Sequence, residues 1–587
     1  MSKVAAGEEL VGLVDKRYTE GKSYLRSRGF LDAWPLYERM KAGDQWPPAT
    51  ARTKSLPRPV FNIIDFISNH KVSTVMNENV KMLFSPQEAV DEGEQSPEAL
   101  VAIQAAESFT RYSDTVWELI KQDELNEEAL ESASNSGTGI WHYYWDSSVK
   151  GGMTMPWIGE MQGETLDPIN VFFGNPQQRR VQKQPFVIIT HREMVDSVRE
   201  EAMANGLSRE LVSTIQGDSD QTDEGYDGAR KEVGQGTKVT VKTMYWREDG
   251  QVMFCRTAGS QLVKKPTFTG FKSYPLVVMQ WKRRKKSIHG IGDAEGIVPN
   301  QRAINLMLAM SVYSSQLTGW PKMKINPAYV DPNQINNDPS VPLIDRSPQG
   351  ETGADYMTPG QMSPHIPKLI DSFIDYTKTL SSAQDAATGD MQSGNLNASA
   401  IMLLQKAAGV PIESIKKRFY RAMEDVGRVW EEFWKTKYNT ARRVAMKDDE
   451  GEGYAETFRG TDYADIGLNL KIDIGPSSSY SEQLMMASLD KLYEKQAIST
   501  EQYLRYAPKN VVPFKDRLLK ELEEQMQQQQ QAEAMSGAQQ ADPQAEAAAQ
   551  LEQQLAIKER EHEQRLELEQ VKGQNAQAAA AAREGTR

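Results

Sequence analysis

The sequence predicts an α+β fold that is mostly helical, and three observations support this prediction. Segments with apolar residues at helical spacing fill most of residues 1–130 and recur after residue 293. Short segments rich in aromatic and β-branched residues, which are typical of strands, are concentrated between residues 138 and 282. A glutamine- and alanine-rich tail with few large apolar side chains begins at residue 526. A chain of 587 residues is expected to form about two to four substructures.

Two segments of the N-terminal part have clear helical periodicity, and five later segments have the composition of strands. The helical segments are FNIIDFISNHKVSTVM (61–76) and AAESFTRYSDTVWELIKQDEL (105–125). The strand-like segments are TGIWHYYWD (138–146), PFVIITHRE (185–193), TKVTVKTMYW (237–246), QVMFCRT (251–257) and YPLVVMQW (274–281). The N-terminal part is therefore predicted to be helical and to be followed by a strand-rich region.

The second half of the sequence alternates between helices and irregular segments. A helix is predicted at 294–319, where Pro321 stops it, and residues 320–364 form a proline-rich excursion. The remaining predicted segments are an amphipathic helix at 365–387, a loop of small polar residues at 388–399, a helix from about 400 to 445 that is broken or bent at Pro411, a strand near 466–474 and helix over 480–525. The tail at 526–587 is predicted to be partly disordered when alone in solution.

The composition excludes several classes of protein. The chain has 68 basic and 81 acidic side chains, a net charge of −13, so its overall charge predicts no general affinity for nucleic acid. Its one cysteine, Cys255, rules out a disulfide within the chain and a cysteine-based zinc site. The N-terminus lacks the apolar segment of a signal peptide, and the apolar runs are too short to cross a bilayer. We therefore expect a soluble protein that is made inside the cell and does not bind membranes.

A glycine-rich stretch before the helix at 294–319 invites comparison with phosphate-binding loops. Gly290, Gly292 and Gly296 would match the dinucleotide-binding fingerprint only if the third glycine came one residue earlier. Asp293 and Glu295 would also place negative charge against the phosphates. We interpret the stretch instead as the entry to a structural helix, with Asp293 as its N-terminal cap.

The sequence contains no catalytic or metal-binding pattern, so we expect neither an enzyme nor a cofactor. The six histidines are scattered and form no known zinc motif. His142 and His191 lie in strand-like segments, where we expect them to be packed or hydrogen-bonded. The basic run from Lys282 to Lys286 leaves two interpretations open, a contact with nucleic acid or an acidic partner, and a solvated loop.

The helix at 294–319 is apolar on almost all sides, which predicts that it is buried on all sides. Its apolar residues include Ile304, Leu306, Met307, Leu308, Met310, Val312 and Tyr313. The helix at 365–387 would cover one side, and copies of the same chain would cover the rest, as in a closed ring. The polar face of that second helix, with Lys368, Asp371 and Asp375, would then line an axial space.

The order of these segments resembles the portal, or head–tail connector, proteins of tailed bacteriophages, particularly those of short-tailed phages. The resemblance covers about residues 50–510 and is carried by YPLVV (274–278), HGIGDAEGIVPNQRAIN (289–305) and SGNLNASAIMLLQKAAGVPIESIKKRFYRAMEDVGRVW (393–430). In that family a helix that is entered through glycines and bears a Gln and an Asn leads into the stem. Gln301 and Asn305 take those two places here.

The resemblance implies a portal-like fold with wing, stem, clip and crown, assembled as a ring. The implied parts are an N-terminal arm (1–39), the wing (40–293 and 400–475), two stem helices (294–319 and 365–387), the clip (320–364), a tunnel loop (388–399), the crown (476–525) and a barrel-like or disordered tail (526–587). Gly290, Gly292 and Asp293 would form the entry to the first stem helix. The residues expected to face DNA are Gln392, Asn395, Asn397, Lys368, Asp371 and Asp375.

The resemblance also implies a function and a set of partners. Portal proteins form a dodecameric channel at one capsid vertex, through which terminase packages the genome that is later retained and ejected. The expected partners are further copies of the chain, double-stranded DNA, the terminase large subunit, a head–tail adaptor, and capsid and scaffolding proteins. The protein would reside in the virion, and in the host cytoplasm during assembly. Two alternatives remain open, a helical scaffold or DNA-ejection protein of the virion and a nucleic-acid-processing enzyme.

Overall fold

The structure is a computed structural model of the chain. It describes residues 7–77, 80–87, 96–152, 155–218, 237–320, 322–336, 338, 340–357, 365–381, 398–447, 453–474, 486, 489–495, 497–507, 518–519 and 522. The chain divides into two compact units, Met1–Tyr480 and Ser481–Arg587.

Helices and strands both contribute to the described part of the chain, so the fold is mixed α and β rather than mostly helical. In chain order the helices are α1 (Gly7–Ser27), α2 (Phe30–Lys41), α3 (Ile63–Met76), α4 (Pro97–Leu119), α5 (Gln122–Ser136), α6 (Val195–Ala204), α7 (Arg209–Ser213), α8 (Asp293–Gly319), α9 (His365–Ser381), α10 (Ala398–Lys437) and α11 (Thr500–Tyr506). The strands are β1 (Val80–Pro86), β2 (Thr138–Gly151), β3 (Trp157–Thr165), β4 (Val171–Phe173), β5 (Phe186–Met194), β6 (Lys238–Glu248), β7 (Gln251–Ala258), β8 (Gln261–Phe268), β9 (Leu276–Gln280), β10 (Met323–Ile325), β11 (Ala354–Tyr356), β12 (Arg442–Lys447), β13 (Gly453–Phe458) and β14 (Leu468–Ile474). Within the ranges given above, no helix has the length and hydropathy needed to cross a bilayer.

The strand-rich region forms two antiparallel sheets. The five-stranded sheet has the order β4-β5-β6-β7-β8, and the three-stranded sheet has the order β3-β2-β9. The five predicted strands are confirmed as β2, β5, β6, β7 and β9, whereas β3, β4 and β8 were not predicted. β3 contains Gly159, which has a φ of +86°, and β8 is an edge strand that contains Pro266, so neither has the usual composition of a strand.

A large aromatic core joins α10 to α4 and to the three-stranded sheet. The predicted apolar stripe of α10 is buried at every position, namely Ile412, Ile415, Phe419, Met423, Val426, Trp430 and Phe433. The Trp434 ring lies 5.3 Å from the Phe109 ring and 5.2 Å from the Tyr112 ring, both in edge-to-face geometry. Such pairs add about 0.5–1.5 kcal/mol each beyond the area that they bury. The long helix is therefore held by its rings as well as by apolar burial.

The two N-terminal helices pack against the five-stranded sheet. Leu10, Val14 and Tyr18 of α1 belong to an apolar cluster that includes residues of β5, β6 and β7. An ion pair of 2.6 Å between Lys242 Nζ and Asp15 Oδ1 adds a polar contact between α1 and β6. Cys255 lies in the same cluster, where burial raises the pKa of its thiol to about 12. The thiol is thus held in its neutral form at physiological pH.

Strand β1 ties the N-terminal helices to the segment that follows α10. The strand predicted near 466–474 is confirmed as β14, and its antiparallel partner is β1, which was not predicted. The backbone N–H of Phe84 in β1 donates to Thr110 Oγ1 of α4 at 3.0 Å, so the ladder is also fixed to the helix layer. Residues far apart in the sequence are therefore joined by a single ladder.

The long helix α10 differs from its prediction in two respects. It runs without a break through Pro411, so of the two predicted alternatives, a break or a bend, the break is wrong. It also ends at Lys437 instead of near residue 445, and a hairpin of β12 and β13 follows. The buried guanidinium of Arg442 at the start of β12 binds Glu160 Oε2 at 2.6 Å and the carbonyl oxygen of Gly159 at 2.7 Å. These contacts with β3 direct the chain away from the helix axis.

The second unit is described mainly around α11. This helix begins with a capping box, in which Ser499 Oγ accepts from the backbone N–H of Gln502 at 3.2 Å and the Gln502 side chain accepts from the backbone N–H of Ser499 at 3.1 Å. The helix lies within the segment 480–525, for which helix was predicted. The tail at 526–587 lies outside the described residues.

Gly290 and Gly292 let the start of α8 contact the end of α5 directly. A Cβ atom on Gly290 would lie 2.1 Å from the carbonyl oxygen of Gly137, and one on Gly292 would lie 2.2 Å from that of Asn135. The third glycine of the stretch, Gly296, has nothing within 4 Å of its Cβ position. The first two glycines are therefore required for close backbone packing, which is a structural reason for the pattern.

This difference among the three glycines is testable by alanine substitution. G290A and G292A should each lower the free energy of unfolding by about 1–3 kcal/mol, because backbone atoms must move to admit a methyl group. G296A should leave it unchanged or raise it by up to about 1 kcal/mol, because alanine favours the helix. Denaturant unfolding of the three variants measures the difference, and equal effects at all three positions would contradict it.

Candidate functional site

The carboxylate of Asp293 is buried at the start of α8 and is surrounded by donors. Lys71 Nζ of α3 lies 2.8 Å from its Oδ2, Trp281 Nε1 donates to the same oxygen at 2.8 Å, and Lys282 Nζ lies 2.6 Å from Oδ1. The side chains of Lys71 and Asp293 are each only 3% exposed. The prediction that Asp293 caps the helix is wrong, because the residue before the helix is Gly292 and the Asp293 carboxylate is used in these ion pairs.

The two ammonium groups determine the charge state of this carboxylate. Burial acts to raise the pKa of Asp293, but Lys71 and Lys282 hold it below its ordinary value. Burial also lowers the pKa of Lys71, against the effect of Asp293. Because the pKa of the carboxyl is depressed, its stabilising contribution is present at neutral pH and is lost as the pH falls through the depressed value.

A network of buried amides continues from this point along α8. Gln301 Oε1 accepts from the backbone N–H of Ile63 at 2.9 Å, and Gln301 Nε2 donates to Asn305 Oδ1 at 3.0 Å. Asn305 Nδ2 donates to Gln45 Oε1 at 2.6 Å, and Gln45 Nε2 donates to Asn62 Oδ1 at 2.9 Å. Gln301 and Asn305 therefore attach α8 to the segment that leads into α3. Their side chains are hydrogen-bonded to each other, and they lie about two and about three turns after Asp293, respectively.

The second half of α8 exposes an apolar stripe. Leu306, Met310, Tyr313 and Leu317 are spaced four, three and four residues apart, so they share one face of the helix. Leu306 is 55% exposed and Met310 is 52% exposed. A single chain therefore buries only part of the helix that the sequence predicts to be buried on all sides. We call these four residues the α8 stripe.

The helix α9 packs against α8, as the sequence predicts. Phe373 and Ile374 of α9 contact the apolar cluster that contains Ile304 of α8. Asn300 Nδ2 of α8 also donates to Thr377 Oγ1 of α9 at 3.1 Å. This contact covers one side of α8.

Two further faces of α9 are exposed. Lys368, Asp371 and Asp375 are all exposed and are spaced three and four residues apart, and we call them the α9 polar face. The side chains of a second exposed set, Leu369, Tyr376 and Leu380, are apolar and share another face. The α9 polar face lies away from the residues packed on α8.

The other residues that the sequence singled out as DNA-facing are Gln392, Asn395 and Asn397. They lie outside the described residues, in the segment 382–397. Of the DNA-facing set, the structure therefore describes Lys368, Asp371 and Asp375, and it places these three on one helix.

The basic run at Lys282–Lys286 is partly engaged within the chain. Lys282 pairs with Asp293, and Arg284 Nη2 lies 2.7 Å from Glu295 Oε2 on the first turn of α8. The other three side chains of the run are exposed. Two of its five cations thus bind the start of the helix, and the interpretation as a solvated loop accounts for only part of the run.

A cavity of about 850 Å³ lies in the strand-rich region, and sequence reasoning missed it. His142 Nδ1 lies 2.7 Å from Glu164 Oε1, and His142 Nε2 lies 3.0 Å from the hydroxyl of Tyr245. His191 Nε2 lies 3.7 Å from the same Glu164 oxygen. Burial lowers the pKa of His191, and His142 and His191 together help to lower that of Glu164 against the effect of burial. Both histidines are engaged with a carboxylate, which agrees with the expectation that they are packed or hydrogen-bonded.

No resident metal centre is evident in the part of the chain that the structure describes, because no group of three or more His, Cys, Asp or Glu side chains there is arranged to hold an ion. Gly290 and Gly292 face the backbone of α5 so closely that not even a Cβ atom would fit there.

The contribution of the buried ion pair can be measured by substitution. D293N should lower the free energy of unfolding by about 3–5 kcal/mol, because it leaves the Lys71 ammonium buried without a counter-charge. Adding K71M to D293N should recover most of the loss, because it removes that buried charge. The matched control E295Q should cost less than about 1 kcal/mol, because its pair with Arg284 is more exposed. Denaturant unfolding gives these values, and wild-type stability of D293N would refute the contribution.

A comparison with known protein families identifies the family of this chain. A family model described as phage P22-like portal protein matches residues 187–583, well over half of the chain. The match includes the five-stranded sheet from β6 onward, the start of α8 with Gln301 and Asn305, and both exposed helix faces. No curated protein matches the chain significantly. Proteins of this family are structural components of the bacteriophage capsid with a role in DNA packaging. The chain belongs to the phage P22-like portal protein family.

Proposed function

We propose that copies of the chain assemble into a ring, the channel at one capsid vertex through which the genome is packaged, retained and ejected. The observation that carries this proposal is the exposed α8 stripe in a chain of the portal family. Contiguous apolar surface in a folded protein usually marks an interface with another protein. Copies related by rotation about an axis would each cover the stripe of a neighbour and leave none exposed.

The faces of α9 fit the same arrangement. Leu369, Tyr376 and Leu380 form an apolar face next to the residues that pack on α8. The α8 stripe of one copy would contact this apolar face of α9 on the next copy. The α9 polar face would then be turned away from the contacts between copies and toward the axis.

An acidic axial surface suits a channel that carries DNA. On the α9 polar face the carboxylates of Asp371 and Asp375 outnumber the ammonium group of Lys368 and would repel phosphates, and the segment 388–399 contains no lysine or arginine. Each cation that contacts a phosphate strengthens DNA binding through counterion release. A lining poor in cations would therefore let the duplex slide. Gln392, Asn395 and Asn397 would supply weak neutral contacts.

The remaining assignments follow from the proposed ring. We propose residues 1–39 as an N-terminal arm, 40–293 and 400–475 as the wing, 294–319 and 365–387 as the stem helices, 320–364 as the clip, 388–399 as the tunnel loop and 476–525 as the crown. The ring would be a dodecamer in the virion, assembled in the host cytoplasm. Its partners would be the terminase large subunit, a head–tail adaptor on which the tail is built, and capsid and scaffolding proteins. The close packing of Gly290 and Gly292 weighs against the alternative of a nucleic-acid-processing enzyme.

The role of the α8 stripe in assembly can be tested with charged substitutions. The double variant L306E/M310E should fold but fail to form rings, because it places carboxylates in an apolar contact. Light scattering coupled to size exclusion, with negative-stain microscopy, would show a monomer in place of a ring.

The matched control is L100E/I103E, which alters two exposed apolar residues of α4 at helical spacing. This control should still form rings. Rings formed by L306E/M310E would refute the proposed contact, whatever the control does.

The α9 polar face can be tested by charge reversal. D371K/D375K should assemble into rings that bind double-stranded DNA more tightly, with a steeper dependence on salt, because two new cations contact phosphates. Phage supplied with this variant should contain less packaged DNA per particle.

The control D196K/E200K makes the same change at the same spacing on α6, where both carboxylates are exposed. It should package DNA normally. Unchanged DNA affinity and packaging in D371K/D375K would show that this face does not line the path of the DNA.

A further inference from the structure

The cavity of about 850 Å³ in the strand-rich region has features of a ligand site that a DNA channel does not require. One wall comes from β2 and β3, the opposite wall from the five-stranded sheet, and the end of α10 closes one side. Its volume lies in the usual range for sites that bind small molecules.

Several charges at one end of the cavity are paired within the chain. Glu164 is bound by His142, as described above. Arg256 of β7 forms ion pairs with Glu193 and with Glu201, the latter at 2.8 Å. These groups therefore offer little free charge to a ligand.

Two further cations of the lining, beside Arg256, have no counter-charge among the described residues. Lys264 of β8 lies directly across the ladder from Arg256, and Lys437 is the last residue of α10. Both ammonium groups line the cavity and are half-buried, and no described carboxylate lies within ion-pair distance of either. Each instead lies over a phenyl ring, Lys264 at 4.8 Å from that of Phe254 and Lys437 at 5.6 Å from that of Phe271. The Nε atom of Arg256 is also buried without a hydrogen-bond partner.

The ammonium groups of Lys264 and Lys437 repel each other. Burial lowers the pKa of Lys437, and the nearby charge of Lys264 lowers it further. An anion placed between the two ammonium groups would offset both their loss of hydration and their mutual repulsion. The geometry thus favours a negatively charged occupant at this end.

Aromatic rings surround the same end of the cavity. Four phenylalanines line it, Phe254, Phe268, Phe271 and Phe433. The Phe268 side chain is 53% exposed, although large apolar residues of the neighbouring strands are mostly buried. A ligand with a flat apolar body could pack on these rings while its anionic group contacts the lysines.

We propose that this cavity binds a small organic anion, whose carboxylate or phosphate group lies between Lys264 and Lys437 and whose apolar body packs on the surrounding phenyl rings. Four carboxylates also line the cavity, those of Glu164, Asp167, Glu193 and Glu201, and they disfavour a ligand with a second anionic group. They would repel a polyanion such as DNA. The site is therefore distinct from the proposed path of the genome.

The proposal can be tested with a pair of probes that differ in charge. 1-Anilinonaphthalene-8-sulfonate carries an anion on an aromatic body, and N-phenyl-1-naphthylamine is its uncharged analogue. In fluorescence titrations of the full chain, K264Q and K437Q should each weaken binding of the sulfonate about tenfold, which corresponds to the loss of one charge-assisted hydrogen bond. Binding of the uncharged analogue should change less than twofold, which also shows that the cavity remains folded.

The matched control is K265Q, because Lys265 is the next residue of β8, is exposed and does not line the cavity. It should bind both probes as the wild type does. Any dye bound at the α8 stripe would be bound equally by every variant, so it cancels in the comparison. Equal affinity of the sulfonate for wild type, K264Q and K437Q would overturn the proposal.

Two competitors distinguish the chemistry of the anion. Benzoate and phenyl phosphate carry a carboxylate and a phosphate on the same ring, and displacement of the sulfonate by either one supports the site. The stronger competitor shows whether the site prefers a carboxylate or a phosphate. Failure of both to displace the lysine-dependent part of the signal would overturn the proposal.

Discussion

The buried carboxylate of Asp293 is the interaction on which the arrangement of this chain depends. It joins Lys71 of α3 and Trp281, just after β9, to the first residue of α8. A carboxylate that is taken out of water loses several kcal/mol of hydration, so it is stable there only because two ammonium groups and an indole N–H replace the lost water. The same donors fix the point and direction at which α8 leaves the strand-rich region. That direction determines where the exposed faces of α8 and α9 lie, and the proposed ring depends on those faces.

The molecule divides its apolar surface unequally between folding and assembly. Its aromatic core buries Trp430 and Trp434 completely, whereas the α8 stripe belongs to none of the apolar cores formed by the described residues. Full burial of one large apolar side chain contributes about 1.5–3 kcal/mol. Burial of four such side chains per copy would therefore contribute substantially to the free energy of association of the ring. The buried amides of Gln301 and Asn305 hold the covered half of α8 in place and so present the uncovered half in one orientation.

The sequence alone predicts what depends on local patterns. Alternating β-branched residues identify β5 and β6, and helical spacing identifies α8, α9 and the buried face of α10. Strand β3 escapes prediction because Gly159 and Gly163 weaken its local preference, and only pairing with β2 makes it a strand. The capping role expected for Asp293 fails because its partner Lys71 lies 222 residues away, at a distance that no local rule covers. Glu164 and Lys437 were not singled out for the same reason, since their importance arises from neighbours on other elements. The resemblance to portal proteins could nevertheless be seen in the sequence, because it depends on the order of the segments and on the stretch at 289–305.

The glycine contact between α5 and α8 has one more consequence, which concerns the dipoles of the two helices. The last carbonyl oxygens of α5, including that of Asn135, point at the first turn of α8 around Gly292. The negative end of one helix dipole therefore meets the positive end of the other across a gap that only glycine permits. Two helices that are far apart in the sequence thus behave electrostatically as one longer dipole with a bend at the junction. The negative side chain of Asp293 lies at that junction, where the positive end of α8 adds to the attraction of the two lysines.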